Sequence, residues 1–394
     1  MDYISVKQAA EKWGISVRWV QVFLKENRIL GAKRLNGYAW LIPADAEKPA
    51  NPRFAKTPAT EKTLSDDLET LIDMTIVSMP KDNPDAILDA FKEDRFRLHF
   101  EGELAYLRGD FERVIACFQR TRGDDAARLR ACPLTIAAAI STGNYQLYTE
   151  IEAYSEAMIK ADKGMNVSVL AGLSLDTAYV SAIAPNMVSN WVKSGDLSEF
   201  PDKVKPDAAY KRAKYFQGLG KFDAMLATAQ TALSFCDAKD GISYIGIYLR
   251  LACAIASVAL KQTDEAKRYL LDTMHISLPY GFITPFAESA SAFGGLLEQL
   301  LKEEFPEHRD AIAKQWQRTF VNWISFHNHF TKDNITHILS MRNYEIASLV
   351  AHQIPYTEIA KKFNISVGRL NNIIGEIYGE LFVSGKKELS SLIL

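Results

Sequence analysis

Arg18, Gln21 and Lys25 stand at i, i+3 and i+7 in the run V-R-W-V-Q-V-F-L-K, with Val20, Phe23 and Leu24 set between them. On a helix this spacing gathers the three polar side chains on one stripe and turns the apolar ones to the opposite side. The chemistry such a stripe suits is contact with double-stranded DNA. Arg and Gln offer forked donors and acceptors to base edges, and Lys offers a charge to phosphate. Ser16 stands where it can cap that helix, and Lys33, Arg34 and Asn36 follow on a hairpin that can reach backbone or minor groove. A second, weaker set lies near the other end, Arg369, Asn371 and Asn372, again just after an I-S-V tripeptide. Catalytic chemistry has less to stand on. His327, His329 and His337 near Asp333 can be drawn as a metal site, but the first two fall in an aromatic helix end, W-I-S-F-H-N-H-F, without a suitably spaced Glu or Cys. No nucleophile elbow and no phosphate-binding glycine loop occurs. The expectation is a protein that is not an enzyme and has no cofactor or metal.

The elements that must carry the first set are legible around it. Ser5 caps a helix over Val6 to Trp13, whose Ala9 and Ala10 allow close packing, and Gly14 turns the chain. The second helix runs from Ser16 to about Asn27, and Asn36-Gly37 between alternating runs marks a hairpin with a type I′ turn. Two helices and a hairpin predict a winged helix-turn-helix over 1–48. Residues 49–65, with three prolines and no periodic pattern, read as a semi-rigid linker. From 66 to 330 amphipathic helices follow one another without a convincing strand. A small turn and a helix-opening aromatic or acidic residue recur at 107–118, 141–148, 218–229 and 260–270. Gly109 and Gly143 lie 34 residues apart, the tetratricopeptide period, and Gly220 and Thr263 continue the series loosely. The prediction is a mainly α chain: a degenerate, TPR-like helical-repeat solenoid, flanked by the winged helix-turn-helix and by a compact helix-turn-helix at 339–394. Its concave face is the expected groove for a small-molecule or protein effector. Aromatic pairs such as Tyr215-Phe216 read as core rather than as a cofactor platform.

Composition agrees with a folded, water-soluble chain of two or three domains: 394 residues, 48% hydrophobic and 24% charged. Cys117, Cys132, Cys236 and Cys253 sit singly in apolar stretches, as core-filling thiols of a reducing compartment do. The start M-D-Y-I-S-V-K has no apolar leader, and the apolar run near Leu251 to Leu260 is too short to span a bilayer. A cytoplasmic protein with no membrane partner is expected. The net charge of −2 is uneven: +4 over 1–53, −7 over 54–338 and +1 over 339–394. A polyanion would meet the basic head.

Three family resemblances follow from these residues. The run Y-I-S-V-K-Q-A-A-E-K-W-G-I-S-V-R-W-V-Q-V-F with G-A-K-R-L-N-G-Y-A-W-L-I-P resembles the excisionase-like and MerR-like winged-helix DNA-binding domains. Residues 339–394 look like the LuxR-type helix-turn-helix in Glu345, Glu358-Ile359-Ala360, Ile365, Ser366, Ile377, Tyr378 and Leu381. They depart from it at Asn371, Ile373, Glu380 and Phe382, and Val367 to Leu381 holds one Arg against two Glu. Such a helix forfeits much of the counterion-release contribution to DNA affinity, so dimerisation or docking stays open beside DNA binding. The middle, with P-Y-G-F-I-T-P-F-A-E-S-A-S-A-F-G-G-L-L-E-Q-L-L at 279–301, resembles the helical-repeat sensor of MalT-like regulators, without their G-x-x-x-x-G-K-[ST] nucleotide loop. Together these imply a homodimeric bacterial transcriptional regulator that binds double-stranded DNA. The competing expectation is a repeat-protein adaptor whose end domains dock proteins.

Overall fold

The computed structural model describes residues 3–25, 28–35, 39–49, 64–73, 77–236, 241–293, 295–332, 339, 341–381 and 383–393. The chain is mainly helical, with small antiparallel sheets, and divides into two compact units, 1–62 and 63–394.

In the first unit, β1 (Tyr3–Ile4) leads into α1 (Val6–Trp13). Ser5 and Gln8 form a reciprocal capping box at its start: Ser5 Oγ accepts from the Gln8 amide, and Gln8 Oε1 accepts from the Ser5 amide at 2.9 Å. Gly14 ends α1 at φ 64°, and the Ile15 amide reaches back to the Ala10 carbonyl at 3.0 Å. α2 (Val17–Lys25) then buries Val20, Phe23 and Leu24 against Ala9, Ala10 and Trp13. β2 (Lys33–Leu35) and β3 (Ala39–Pro43) complete a sheet of order β1-β3-β2. Its register pairs Leu35 with Ala39, and the Asn-Gly turn expected from the sequence falls within residues 36–38. Those three residues, and the linker from 50 to 63, lie outside the described set.

The second unit opens with α3 (Leu64–Ile72), which takes in the last two residues of the expected linker. The expectation of no strand in the body needs correction. β4 (Met79–Pro80) pairs antiparallel with β5 (Gly241–Ile242), two residues each and too short to leave an alternating pattern. The recurring turns each join a pair of helices: α4 (Asp94–Arg108) to α5 (Phe111–Arg120), and α6 (Asp125–Thr142) to α7 (Tyr145–Lys160). The helices α8 (Met165–Ser181) and α9 (Asn190–Ser194) intervene. Then α10 (Lys205–Gly218) joins α11 (Phe222–Leu233), and α12 (Tyr244–Ala259) joins α13 (Thr263–Ser277). A left-handed residue makes each turn, at Gly109, Gly143, Gly220 and Lys261.

After α14 (Thr284–Ser289) and α15 (Leu296–Glu304) comes α16 (Pro306–Thr331), a helix of 26 residues. It crosses two of the repeat turns closely, and each of those turns holds a glycine at positive φ. A Cβ on Gly109 would stand 2.3 Å from Gln315 Oε1, and one on Gly143 2.8 Å from Asn322 Oδ1. The polar side chains of α16 also satisfy carbonyls that helix ends leave without intrahelical partners. Asn322 Nδ2 donates to Ser141 O at 2.8 Å, Trp323 Nε1 to Ser181 O at 2.7 Å, and His327 Nδ1 meets Ala182 O at 2.7 Å. Its other side enters the core of the final helices α17 (Met341–Ala351), α18 (Tyr356–Lys362), α19 (Val367–Glu380) and α20 (Lys386–Ile393). There Phe320 and Ile324 pack with Ile346, Ile359, Leu370 and Ile377. The C-terminal helices therefore share their core with α16, across the boundary drawn at 339 from the sequence. Among the described residues no helix is long and apolar enough to cross a membrane.

Candidate nucleic-acid interface and a cavity in the helical body

Ser16 stands at the start of α2 with its Oγ 3.4 Å from the Trp19 amide, the position of an N-cap acceptor. Arg18, Gln21 and Lys25 are exposed on the helix side opposite Val20 and Leu24. Among the described residues no hydrogen bond or ion pair holds any of them. Val17 and Trp19, 42% and 44% exposed, flank Arg18, so the outer face of α2 mixes donors with apolar surface. The sequence did not single out these two. The strand cations separate. Neighbours on a strand point to opposite faces, and Lys33 lies over the Tyr3 ring at 4.3 Å while Arg34 lies over Trp40 at 4.9 Å. One face of the ribbon thus carries only one of them. Asn36 lies outside the described residues.

At the far end, Ser366 caps α19 through the Arg369 amide at 3.1 Å, and Arg369, Asn371 and Asn372 are exposed. Arg369 is the one cation of α19, and its guanidinium lies 3.9 Å from Glu376 on the same surface. Ile15 and Ile365, which precede the caps of α2 and α19, are half-buried.

The histidines drawn as a metal site serve packing instead: His327 meets a backbone carbonyl, and His329 Nε2 lies 2.7 Å from the Tyr145 hydroxyl. Among the described residues no group of three or more His, Cys, Asp or Glu is placed to hold a metal ion. Asp333 and His337 fall outside that set. Cys117, Cys132 and Cys253 are buried, and burial pushes the Cys132 thiol up to about 12. Phe216 packs against the main core of the body, as the sequence suggests.

The feature that sequence reasoning missed is a cavity of about 460 Å³ within the second unit, lined from α4, α6, α10, α12, α14 and α16. Its volume lies in the range of small-molecule sites, about 300–1,000 Å³. On its wall Glu288 of α14 accepts hydrogen bonds from Tyr106 of α4 and, at 3.2 Å, from Tyr248 of α12. Tyr210 and Tyr244 pack on Tyr248 with ring centroids 5.5 and 5.1 Å away. Glu288 has the accessible surface of an exposed residue, yet burial among these helices pushes its carboxyl up to about 7. Both observations hold if the surface it presents is cavity wall. Lys214 of α10 lines the same space, donates to Gln217 Oε1 at 2.6 Å, and is drawn down to about 8 by burial. The other charged side chains on the wall are paired: Lys211 with Asp207 at 2.8 Å, Lys203 with Asp73 at 2.6 Å, and Glu103 with His99 at 3.2 Å and Arg130 at 3.9 Å. The sequence signal available was spacing alone, Tyr244 with Tyr248 and Tyr210 with Lys214 at i, i+4, which core packing produces as often.

The raised Glu288 makes stability pH-dependent. Between pH 4.5 and about 7 the folded chain keeps a proton that the unfolded chain has released, so this contribution is present below 4.5 and lost as pH rises through 7. The groups that interact with it are Tyr106 from α4, Tyr210 and Lys214 from α10, and Tyr244 and Tyr248 from α12. Glu288→Gln removes the ionisation. Its thermal midpoint is expected to exceed that of the unsubstituted chain at pH 8 and to match it at pH 4.5. Because Glu288 has the accessible surface of an exposed residue, the gain is discounted for solvent screening to on the order of 1 kcal/mol. Equal midpoints at pH 8 would show that the carboxylate ionises without cost.

Compared with family models, curated proteins and solved structures, the chain matches none.

Proposed function

We propose that the chain is a sequence-specific, double-stranded DNA-binding transcriptional regulator whose helical body senses a small effector in the cavity. In this reading the first unit is a winged helix-turn-helix with α2 as its reading helix, and the body is a TPR-like sensor. The final helices are a LuxR-like helix-turn-helix serving mainly assembly of a cytoplasmic homodimer. One observation carries it: α2 is capped by Ser16, anchored by Val20, Phe23 and Leu24, and presents Arg18, Gln21 and Lys25 outward with no partner among the described residues. A packing or docking helix would have no use for that many unpaired donors beside exposed Trp19. The poverty of cation on α19, where Arg369 already faces Glu376, supports docking rather than DNA contact by the last helices.

The test is a salt titration of duplex binding by the full chain. Log affinity is expected to fall linearly with log salt, and Lys25→Ala to weaken all sequences alike while lowering the slope by about 1, as loss of one phosphate contact does. A slope that Lys25→Ala leaves unchanged removes that residue from the interface. No binding even at low salt rejects the reading in favour of a protein adaptor.

A further inference from the structure

Glu288 and Lys214 are the two opposite charges on the cavity wall that no described residue neutralises by an ion pair. They belong to different helices, α14 and α10, and each feels the other's charge without touching it. Their hydrogen-bonding capacity is also only partly spent. A carboxylate has about four acceptor positions, of which Tyr106 and Tyr248 use two. An ammonium has three donors, of which Gln217 takes one. Burying two unpaired charges on one void is costly unless something completes them. The remaining wall is aromatic and apolar, with Tyr210 and Tyr244 beside the carboxylate and Pro133, Leu134 and Phe222 further round.

We infer that the cavity takes a compact zwitterion, a free amine and a free carboxylate on an apolar or aromatic body, with Glu288 receiving the amine and Lys214 the carboxylate. The chemistry is that of a free amino acid or a short unblocked peptide. The tyrosine rings around Glu288 favour the ammonium further, since a cation over an aromatic face is attracted by the ring quadrupole. A simple organic cation would use the tyrosines and Glu288 but leave Lys214 opposing it. A simple acid would do the reverse. Only a ligand with both ends discharges both walls. This inference rests on the reading of the cavity as the sensory site, but it stands or falls on binding, which needs no DNA.

The experiment is calorimetry on the full chain at pH 7.5, without DNA, against the protein amino acids and a panel of their dipeptides. For the tightest binder, its decarboxylated amine and its deaminated acid are titrated as well. The zwitterion is expected to bind at least tenfold more tightly than either half, and whether free amino acids or dipeptides bind identifies the source. Glu288→Gln should weaken the zwitterion at least tenfold without weakening the deaminated acid, and Lys214→Met should weaken the zwitterion at least tenfold without weakening the amine. Selectivity of the unsubstituted chain carries the test should a variant fail to fold. Equal binding of the decarboxylated amine, unchanged in Lys214→Met, overturns the inference in favour of an organic-cation site. No binding by any panel member also overturns it. DNA mobility shifts run separately keep the two readings apart, because zwitterion binding without DNA binding would sink the regulator and spare the cavity.

Discussion

Phe326→Ala is expected to cost the second unit about 3–5 kcal/mol, the range for deleting a buried aromatic ring. Phe326 is 1% exposed on α16 and is ringed by Tyr145 and Tyr148, both with centroids at 5.4 Å, and by Phe330 at 6.4 Å. Truncation removes the ring's transfer energy and leaves a void that these aromatics, held in turn by α7 and α16, cannot close. The loss also loosens the neighbouring attachment of α16, where His327 meets Ala182 O and Tyr145 meets His329. Val321→Ala on the exposed side of the same helix is the control, with a change within about 0.5 kcal/mol. Urea unfolding followed by circular dichroism and tryptophan fluorescence together measures both, since coincident transitions are needed before a free energy is assigned. A cost below about 1 kcal/mol would mean that α16 is not the strut the contacts make it.

That helix shows where the sequence stopped being legible. The cap at Ser5, the turn at Gly14 and the start of α2 at Ser16 depend on residues within four positions of one another, and all three were read correctly. The junctions at Gly109, Gly143 and Gly220 were legible for the same reason, because a left-handed glycine before a helix start is a local device, whereas the fourth, read at Thr263, has its left-handed residue at Lys261. What α16 does is not local. Its Gln315 and Asn322 stand against glycines some two hundred residues earlier in the chain, and no spacing within the helix announces that. The same holds for the cavity, whose carboxylate on α14 meets tyrosines from α4 and α12. It holds too for the shared core that joins Phe320 to the C-terminal helices. The two-residue pairing of β4 with β5 is a long-range contact that leaves almost no pattern.

Of the two helices introduced by I-S-V, α2 is expected to read the DNA sequence. Arg18→Ala should lower affinity for the preferred site by about 1–3 kcal/mol, roughly tenfold to a hundredfold, and change which base is preferred. Arg369→Ala should leave the preference as it was. The argument is one of charge and commitment. Arg18 has no internal partner among the described residues and stands on the outer stripe with Gln21 and Lys25, whereas Arg369 is the sole cation of α19 and already lies near Glu376. Loss of a base-reading donor changes the rank order of sequences, while loss of a weakly engaged surface charge lowers all affinities slightly or not at all. Deleting 339–394 would be a poorer comparison, because it would uncover Phe320 and Ile324 on α16 and confound binding with stability. Selection of binding sites from a random duplex pool by the unsubstituted chain and the two point variants, at one salt concentration, decides between the helices. If Arg369→Ala shifts the selected sequence and Arg18→Ala does not, the roles are reversed and α19 is the reader.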